Sequence, residues 1–486
     1  MAKVTIAGNE VEVQEGINII EAAKTADVHV PHFCYHPSLS VVGQCRMCLV
    51  EVEGMPKLQA GCSTNVRDGM KIWVWNEKVD KARRGQMEFL LINHPLDCPI
   101  CDKAGECPLQ DYSFNYGSVE SRYGEFKRTY PGMDRTAIGP HVVQNMNRCI
   151  HCTRCIRFCQ EITGTSELAF FKRGAATEVA VFPGTPLDNW MSACVTDVCP
   201  TGALTTREFR FESRVWNLDS TDSVCNGCDV GCNIFIGHRN GQIFRYRPRE
   251  NPDVNDQWLC DYGRFSHERY DTDRVVVPKV RNEDDYLGIS TWNEALDAIE
   301  NAFKRGSKFG AIASANMTNE EASAAKSLFD GLGIKAGLTV DPIGPIRMKS
   351  KREWLEGKQA APNYRGVASI LGENPLPDGD GLDVLYICDA GFSQRAKDPA
   401  FIANLRKAKF LIVHAWDATH PLNDFADVLL PATMHAEKEG TYTNLQGRVQ
   451  EIHAAYPPKG QAVSDLEVFH RVAARLLAEE AVAAQA

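Results

Sequence analysis

Apolar and polar positions alternate from the start of the chain. Val4 and Ile6, then Val11 and Val13, flank Gly8-Asn9, and this pattern predicts a hairpin over 3–13. Ile19, Ile20 and Ala23 then fall on one face of a short helix. Residues 78–92 predict an amphipathic helix whose Val79, Met87, Leu90 and Leu91 are apolar among basic neighbours. Two short strands, 234–238 and 242–246, are expected around an Asn240-Gly241 turn. Beyond about residue 276 the texture becomes α/β. Phe309–Ala313 reads as a short strand, and Thr318 with Glu321 forms a capping box that opens a helix through Phe329. Val384–Cys388 and Phe410–His414 read as buried strands with a helix at about 398–407 between them. Ser464 with Glu467 caps a final helix that carries Leu466, Phe469, Ala473 and Leu476 on one face, and the Ala-rich tail after 478 should fray.

At 486 residues the chain has length for three or four domains. Its net charge of −10 and lack of any basic run argue against a nucleic-acid partner. No stretch approaches the roughly 18 apolar residues of a membrane span, and the N-terminus lacks the apolar core of a signal peptide. The cysteines change the picture most. Eighteen of them, in a long chain without an export signal, point to metal rather than disulfides. Seventeen lie before residue 261 and only Cys388, most simply a buried small hydrophobe, lies after it. The first half is therefore expected to be loaded with metal.

Four ligand sets emerge from the spacing. Cys149, Cys152 and Cys155 follow at x₂ intervals, so three thiolates converge on one loop, and the distant Cys199-Pro200 supplies a fourth, which is bacterial-ferredoxin arithmetic for a [4Fe–4S] cluster. Structural zinc also takes four cysteines, usually as two separated pairs. Cys34, Cys45, Cys48 and Cys62, with gaps of 10, 2 and 13, follow the hairpin–helix start as in a [2Fe–2S] ferredoxin, although the first gap exceeds the plant-type four. His94, Cys98, Cys101 and Cys107 offer one imidazole and three thiolates, which could hold either a cluster or zinc. Cys225, Cys228, Cys232 and Cys260 form the fourth set. Cys159 stands where a two-cluster ferredoxin keeps its fourth ligand, but only Cys194 is left to join it, so both are expected to be spare thiols near one cluster.

The run from His94 through Cys107 closely resembles the His-Cys₃ motif of the large iron–sulfur subunit of NADH–quinone oxidoreductase, respiratory complex I. The Cys225 spacing resembles the small [4Fe–4S] domain that opens molybdopterin oxidoreductases, as do Ala426–Pro431 and Glu437–Gln450 further on. The resemblance spans the chain and implies a multidomain α+β protein. Its parts would be a β-grasp [2Fe–2S] domain over 1–78, a His-Cys₃ [4Fe–4S] module over 79–120 and a ferredoxin-like [4Fe–4S] module over 140–215. A molybdopterin-oxidoreductase-type [4Fe–4S] domain over 220–275 and a shortened α/β domain of the same kinship over 276–486 would follow.

The resemblance implies one [2Fe–2S] and three [4Fe–4S] clusters, with electrons coming from a flavin-bearing, NADH-oxidising subunit. They would cross the His94 and Cys149 clusters to ferredoxin-like and quinone-module partners, leaving the Cys225 cluster off the main path. Such a subunit would sit on the cytoplasmic side of the inner membrane and touch it only through partners. Short-range transfer requires the N-terminal modules to pack on one another. No P-loop occurs, and Gly331-Leu332-Gly333 follows a helix rather than a strand, so no NAD or flavin site is visible. No molybdopterin is expected either, because tyrosine (Tyr262) stands two positions after Cys260, where the pterin enzymes resembled here carry lysine. The competing readings are a subunit of an NAD-linked formate dehydrogenase or hydrogenase, and a zinc-stabilised scaffold.

Overall fold

A computed structural model describes residues 1–270, 273–340, 346–350, 353–388 and 398–477, so the tail expected to fray lies outside the described residues. The chain forms two compact units, Met1–Leu218 and Asp219–Ala486.

In the first unit the hairpin pairs Ala2–Ile6 with Asn9–Val13, Val4 opposite Val11. The strand Lys71–Trp73 joins the same sheet parallel to Ala2–Ile6, and Leu49–Val52 runs antiparallel to it. The helix Ile19–Thr25 starts where the Asn18 side chain accepts the Glu21 N–H at 3.0 Å. Its Ile19, Ile20, Ala22 and Ala23 bury against Val4, Ile6, Val50 and Ile72 of the sheet, so the β-grasp core is apolar on both layers.

Asn76 caps the next helix, Glu77–Leu91, by accepting the Val79 N–H. This helix packs Met87 beside Phe33, Met47 and Leu109. The same apolar cluster contains Cys34, Cys45 and Cys107, with Cys152 packed against it. Three ligand sets therefore share one core, as rigid transfer between modules requires. Beyond it, Val142–Gln144 pairs with Leu204–Thr206, and a short helix, Arg154–Arg157, runs into the π-helical turn Phe158–Thr163.

The second unit opens with a three-stranded antiparallel sheet, Asp219–Val224, Asn233–Arg239 and Gln242–Pro248. Asn240 and Gly241 both take left-handed φ, 52° and 73°, the geometry a two-residue hairpin turn demands. A seven-stranded sheet follows. Five of its strands, Gly337–Thr339 at one edge, then Phe309–Ser314, Val384–Ile387, Leu411–Ala415 and Val428–Pro431, are parallel, and Lys279–Arg281 and Leu287–Ile289 add an antiparallel pair at the other edge. Along Val384–Cys388 alternate residues enter different cores. Val384, Tyr386 and Cys388 face one, and Leu385 and Ile387 face the other. Both faces are covered, as parallel sheets require.

The Thr318–Glu321 capping box is reciprocal. At the last helix, Asp465–Leu476, Ser464 accepts the Glu467 N–H, but the Glu467 carboxylate turns to Arg471 at 2.8 Å, so only half a box forms. No helix among the described residues is long and apolar enough to cross a membrane.

Candidate metal centres

The first set sits on the loop that wraps the β-grasp helix. Cys34, Cys45, Cys48 and Cys62 are all buried. Cys45 donates a hydrogen bond to Cys34, which lowers Cys34 to about 5 and raises Cys45; Cys48 donates likewise to Cys62. The four thiols thus pair two and two, as a binuclear cluster with two cysteines per iron requires. The Phe33 and Cys34 N–H groups point at Cys45 Sγ from 3.4 and 3.5 Å. Among the described residues no three His, Cys, Asp or Glu side chains converge as one ion needs.

The second set runs from the end of the helix Glu77–Leu91 to the start of the helix Pro108–Tyr116, which Cys107 precedes. Burial, with Arg148 and Lys127 nearby, lowers His94 to about 4 and keeps its imidazole neutral, the form that ligates metal. Its Nδ1 is buried without a hydrogen-bond partner. Burial raises Cys101 and pushes Cys107 up to about 11. Cys98 alone among the fifteen ligand cysteines is exposed. His94, Cys98 and Cys107 line a cleft of about 670 Å³ bounded by Phe89, Leu96, Phe114 and Val119.

The third set is the most tightly assembled. Cys149, Cys152, Cys155 and Cys199 line one cavity with Pro200 and Thr201. His151 and Thr153 adopt left-handed φ of 55° and 63°, an uncommon conformation outside glycine that folds the backbone around the sulfurs. The His151 N–H reaches Cys149 Sγ at 3.3 Å. Burial, then the neighbouring thiols, raises Cys149, Cys152 and Cys155. Thiols so crowded remain neutral unless a cation draws off their protons, which is what cluster iron does. Cys159 and Cys194 are buried but do not line this cavity, and Cys159 hydrogen-bonds the Glu167 carboxylate.

The second and third sets meet at the closing segment. Cys107 Sγ lies 3.6 Å from the Pro200 carbonyl. A Cβ on Gly202 would fall 2.2 Å from Cys101 Sγ, so only glycine admits the approach.

In the second unit Cys225, Cys228, Cys232 and Cys260 are all buried. Gly227 and Gly263 direct N–H groups to Cys225 and Cys260 Sγ, each at 3.4 Å. The segment Glu437–Gln450 braces this loop. Gln450 Nε2 donates to the Gly231 carbonyl at 2.9 Å and Asn444 Nδ2 to the Val230 carbonyl at 3.2 Å.

Spacing alone did not reveal the arginines between the first and third sets. Arg154 and Arg157 flank Cys155 in sequence, and both reach the Cys34 loop. The available signal was two cations interleaved with ligand cysteines.

Family models match almost end to end. A 2Fe-2S iron-sulfur cluster binding domain covers residues 1–77 and the NADH-ubiquinone oxidoreductase-G iron-sulfur binding region covers 83–122. The NADH-quinone oxidoreductase subunit 3 ferredoxin-like domain covers 139–205 and the NDSU1/NuoG-like 4Fe-4S domain 218–268. Molybdopterin oxidoreductase matches 274–378 and 368–475. The chain is 41% identical to the mitochondrial NADH-ubiquinone oxidoreductase 78 kDa subunit of Candida albicans, over 98% of this chain and 83% of that protein. It is 35% identical to the NADH-quinone oxidoreductase-G subunit of Streptomyces coelicolor over 90% of this chain, and 42% identical to that of Rickettsia felis over 68%. It spans about half of those two relatives, 53% and 49%. A solved chain of an NAD+-reducing [NiFe]-hydrogenase shares 28% identity over 44% of this chain and 91% of its own length, at a TM-score of 0.39, too loose to bear on the fold.

Proposed function

The chain belongs to the family of the NADH-quinone oxidoreductase-G subunits and their mitochondrial 78 kDa counterparts, and from that premise we propose that it conducts electrons through four iron–sulfur clusters held by the sixteen side chains described above. Bound clusters supply one-electron redox centres; the chain's own residues ligate, space and shield them. Cys34, Cys45, Cys48 and Cys62 hold the [2Fe–2S] cluster. His94 with Cys98, Cys101 and Cys107, Cys149 with Cys152, Cys155 and Cys199, and Cys225 with Cys228, Cys232 and Cys260 each hold a [4Fe–4S] cluster. The reading divides the chain into cluster modules over 1–78, 79–120, 140–215 and 220–275, with an α/β domain over 276–486.

The observation that carries the proposal is the shared core of the first unit, where ligands of three sets pack together. We read them as acting in series. The Cys149 set is the middle station, joined to the [2Fe–2S] set through Arg154 and Arg157 and to the His94 set through Pro200 and Gly202. Electrons enter from a flavin-bearing subunit that oxidises NADH. They leave beside Cys98, at the apolar cleft, to a ferredoxin-like partner on the route to quinone. The complex works on the cytoplasmic face of the membrane, which this chain meets only through its partners.

Iron and acid-labile sulfide in anaerobically purified protein test the proposal. Roughly 14 iron atoms per chain are expected, two in the binuclear cluster and four in each cubane, with visible absorbance that bleaches on dithionite. Zinc without sulfide would refute it. Stoichiometric molybdenum would instead favour the formate dehydrogenase reading.

A further inference from the structure

Arg157 is 5% exposed, and no ion pair among the described residues involves it. A buried guanidinium with no carboxylate is unfavourable unless something else supplies negative charge. Its hydrogen bonds show where that charge would lie. One nitrogen, Nη2, donates to the Cys34 carbonyl at 2.6 Å and to the Cys152 carbonyl at 3.4 Å. Nη1 donates to the Ser40 carbonyl and Nε to Thr153 Oγ1 at 3.1 Å. A single nitrogen thus touches a ligand residue of the binuclear set and a ligand residue of the Cys149 set. Arg154 repeats the pattern, with Nη2 on the Tyr35 carbonyl and Nη1 on the Val198 carbonyl at 3.2 Å, while its Nε has no partner. Each contact goes to a residue adjacent to a ligand, Cys34 or Cys199.

Resting on the cluster assignment above, we propose that Arg157 is a positioning residue for transfer between the [2Fe–2S] and Cys149 clusters, acting both as shared counter-charge and as hydrogen-bonded bridge. Reduction adds one negative charge to an already anionic thiolate cluster, so a fixed cation nearby favours the reduced state and raises the potential. A cation between two clusters does this for both and damps their mutual repulsion. The transferred electron leaves the binuclear centre oxidised and the Cys149 centre reduced by one unit, with no proton needed. The route Cys34–Arg157–Cys152 also joins the two ligand residues by two hydrogen bonds, across which electronic coupling decays less steeply than through space.

Charge and bridge separate in two variants of the assembled complex. Arg157→Gln removes the cation. EPR-monitored redox titration should find both midpoint potentials lowered, each by roughly a tenfold shift in the one-electron equilibrium, about 59 mV. Arg157→Lys keeps the cation but loses the planar fork. Its potentials should return toward wild type, while freeze-quench EPR should show the Cys149 centre filling several-fold more slowly after the binuclear one. Unchanged potentials in Arg157→Gln, or a shift in one cluster only, would overturn the shared-charge role, and a wild-type rate in Arg157→Lys would overturn the bridge. Loss of iron from both variants would make Arg157 a strap for assembly and overturn the proposal as a whole. Wild-type protein lacking iron and sulfide would refute the cluster assignment itself, a separate outcome.

Discussion

The two units differ in how some of their buried cations are matched. In the second, Arg274 meets Glu437 through two bonds of 2.7 Å, and Lys438 meets Glu321 at 2.9 Å, all four side chains almost fully enclosed. Each positive charge has its carboxylate, and the pairs tie strand, loop and helix together without reference to any cofactor. In the first unit Arg83 is fully buried on the helix Glu77–Leu91, donates only to the Leu49 carbonyl at 3.1 Å, and leaves Nε and Nη1 without partners. Arg157 likewise has carbonyls and a hydroxyl but no carboxylate. Both lie beside thiol ligands. Arg148 of the first unit does meet Asp97 at 2.9 Å, so the contrast rests on Arg83 and Arg157, which face ligand loops where clusters bring negative charge, whereas the two pairs of the sheet lobe need no cofactor.

The largest effect should come from stripping the clusters with chelator and reductant. Without that negative charge, Arg83 and Arg157 become buried ions with nothing opposite, and the thiols lose their metal. Hydrogen exchange should then show 1–218 unprotected while the strands Phe309–Ser314, Val384–Ile387 and Leu411–Ala415 stay protected. Equal loss in both regions would break the comparison.

Arg274→Met comes next. It leaves Glu437 buried and unpaired, so the sheet lobe should lose roughly 3–5 kcal/mol in denaturant unfolding while the cluster potentials hold. A potential shift would mean that the two regions are electrically coupled after all.

The pH response should be smaller and confined to the lobe. Burial, with Glu321 nearby, pushes Asp465 up to about 8 from its ordinary 3.8. The folded lobe therefore holds a proton that the unfolded chain releases. That contribution is full below about pH 4 and is lost as pH rises toward about 8. Asp465→Asn should flatten the stability profile across this window, and an unaltered profile would assign the slope elsewhere.

Smallest of all, Lys326→Ala removes a solvent-exposed partner of Asp330 and should change stability by no more than about 0.5 kcal/mol. A larger loss would show that even surface charge supports the lobe.

Much of this was legible in advance where the signal is local. Thr318 and Glu321 stand three residues apart and cap reciprocally because the box needs only that spacing. Cys149, Cys152, Cys155 and Cys199 meet in one cavity because ligand type and interval encode the loop. The bridge at Arg157 was not legible, since its place beside Cys155 marks it as a candidate without showing that it finds the Cys34 carbonyl across 123 residues. The segment ending at Gln450 was recognisable by resemblance, but its task of bracing Gly231 depends on a contact 219 residues apart. Ser464 shows the limit even locally, because Arg471 competes for the Glu467 carboxylate.

The series order with the Cys149 set in the middle is the central claim, and Cys152→Ser tests it most directly. In the assembled complex, NADH is added and EPR spectra are taken by freeze-quench within one turnover. The binuclear signal should appear while the His94-set signal stays silent, because its only neighbour in the series has been removed. A His94-set signal that rises at the wild-type rate would contradict the order and show electrons reaching that cluster by another path.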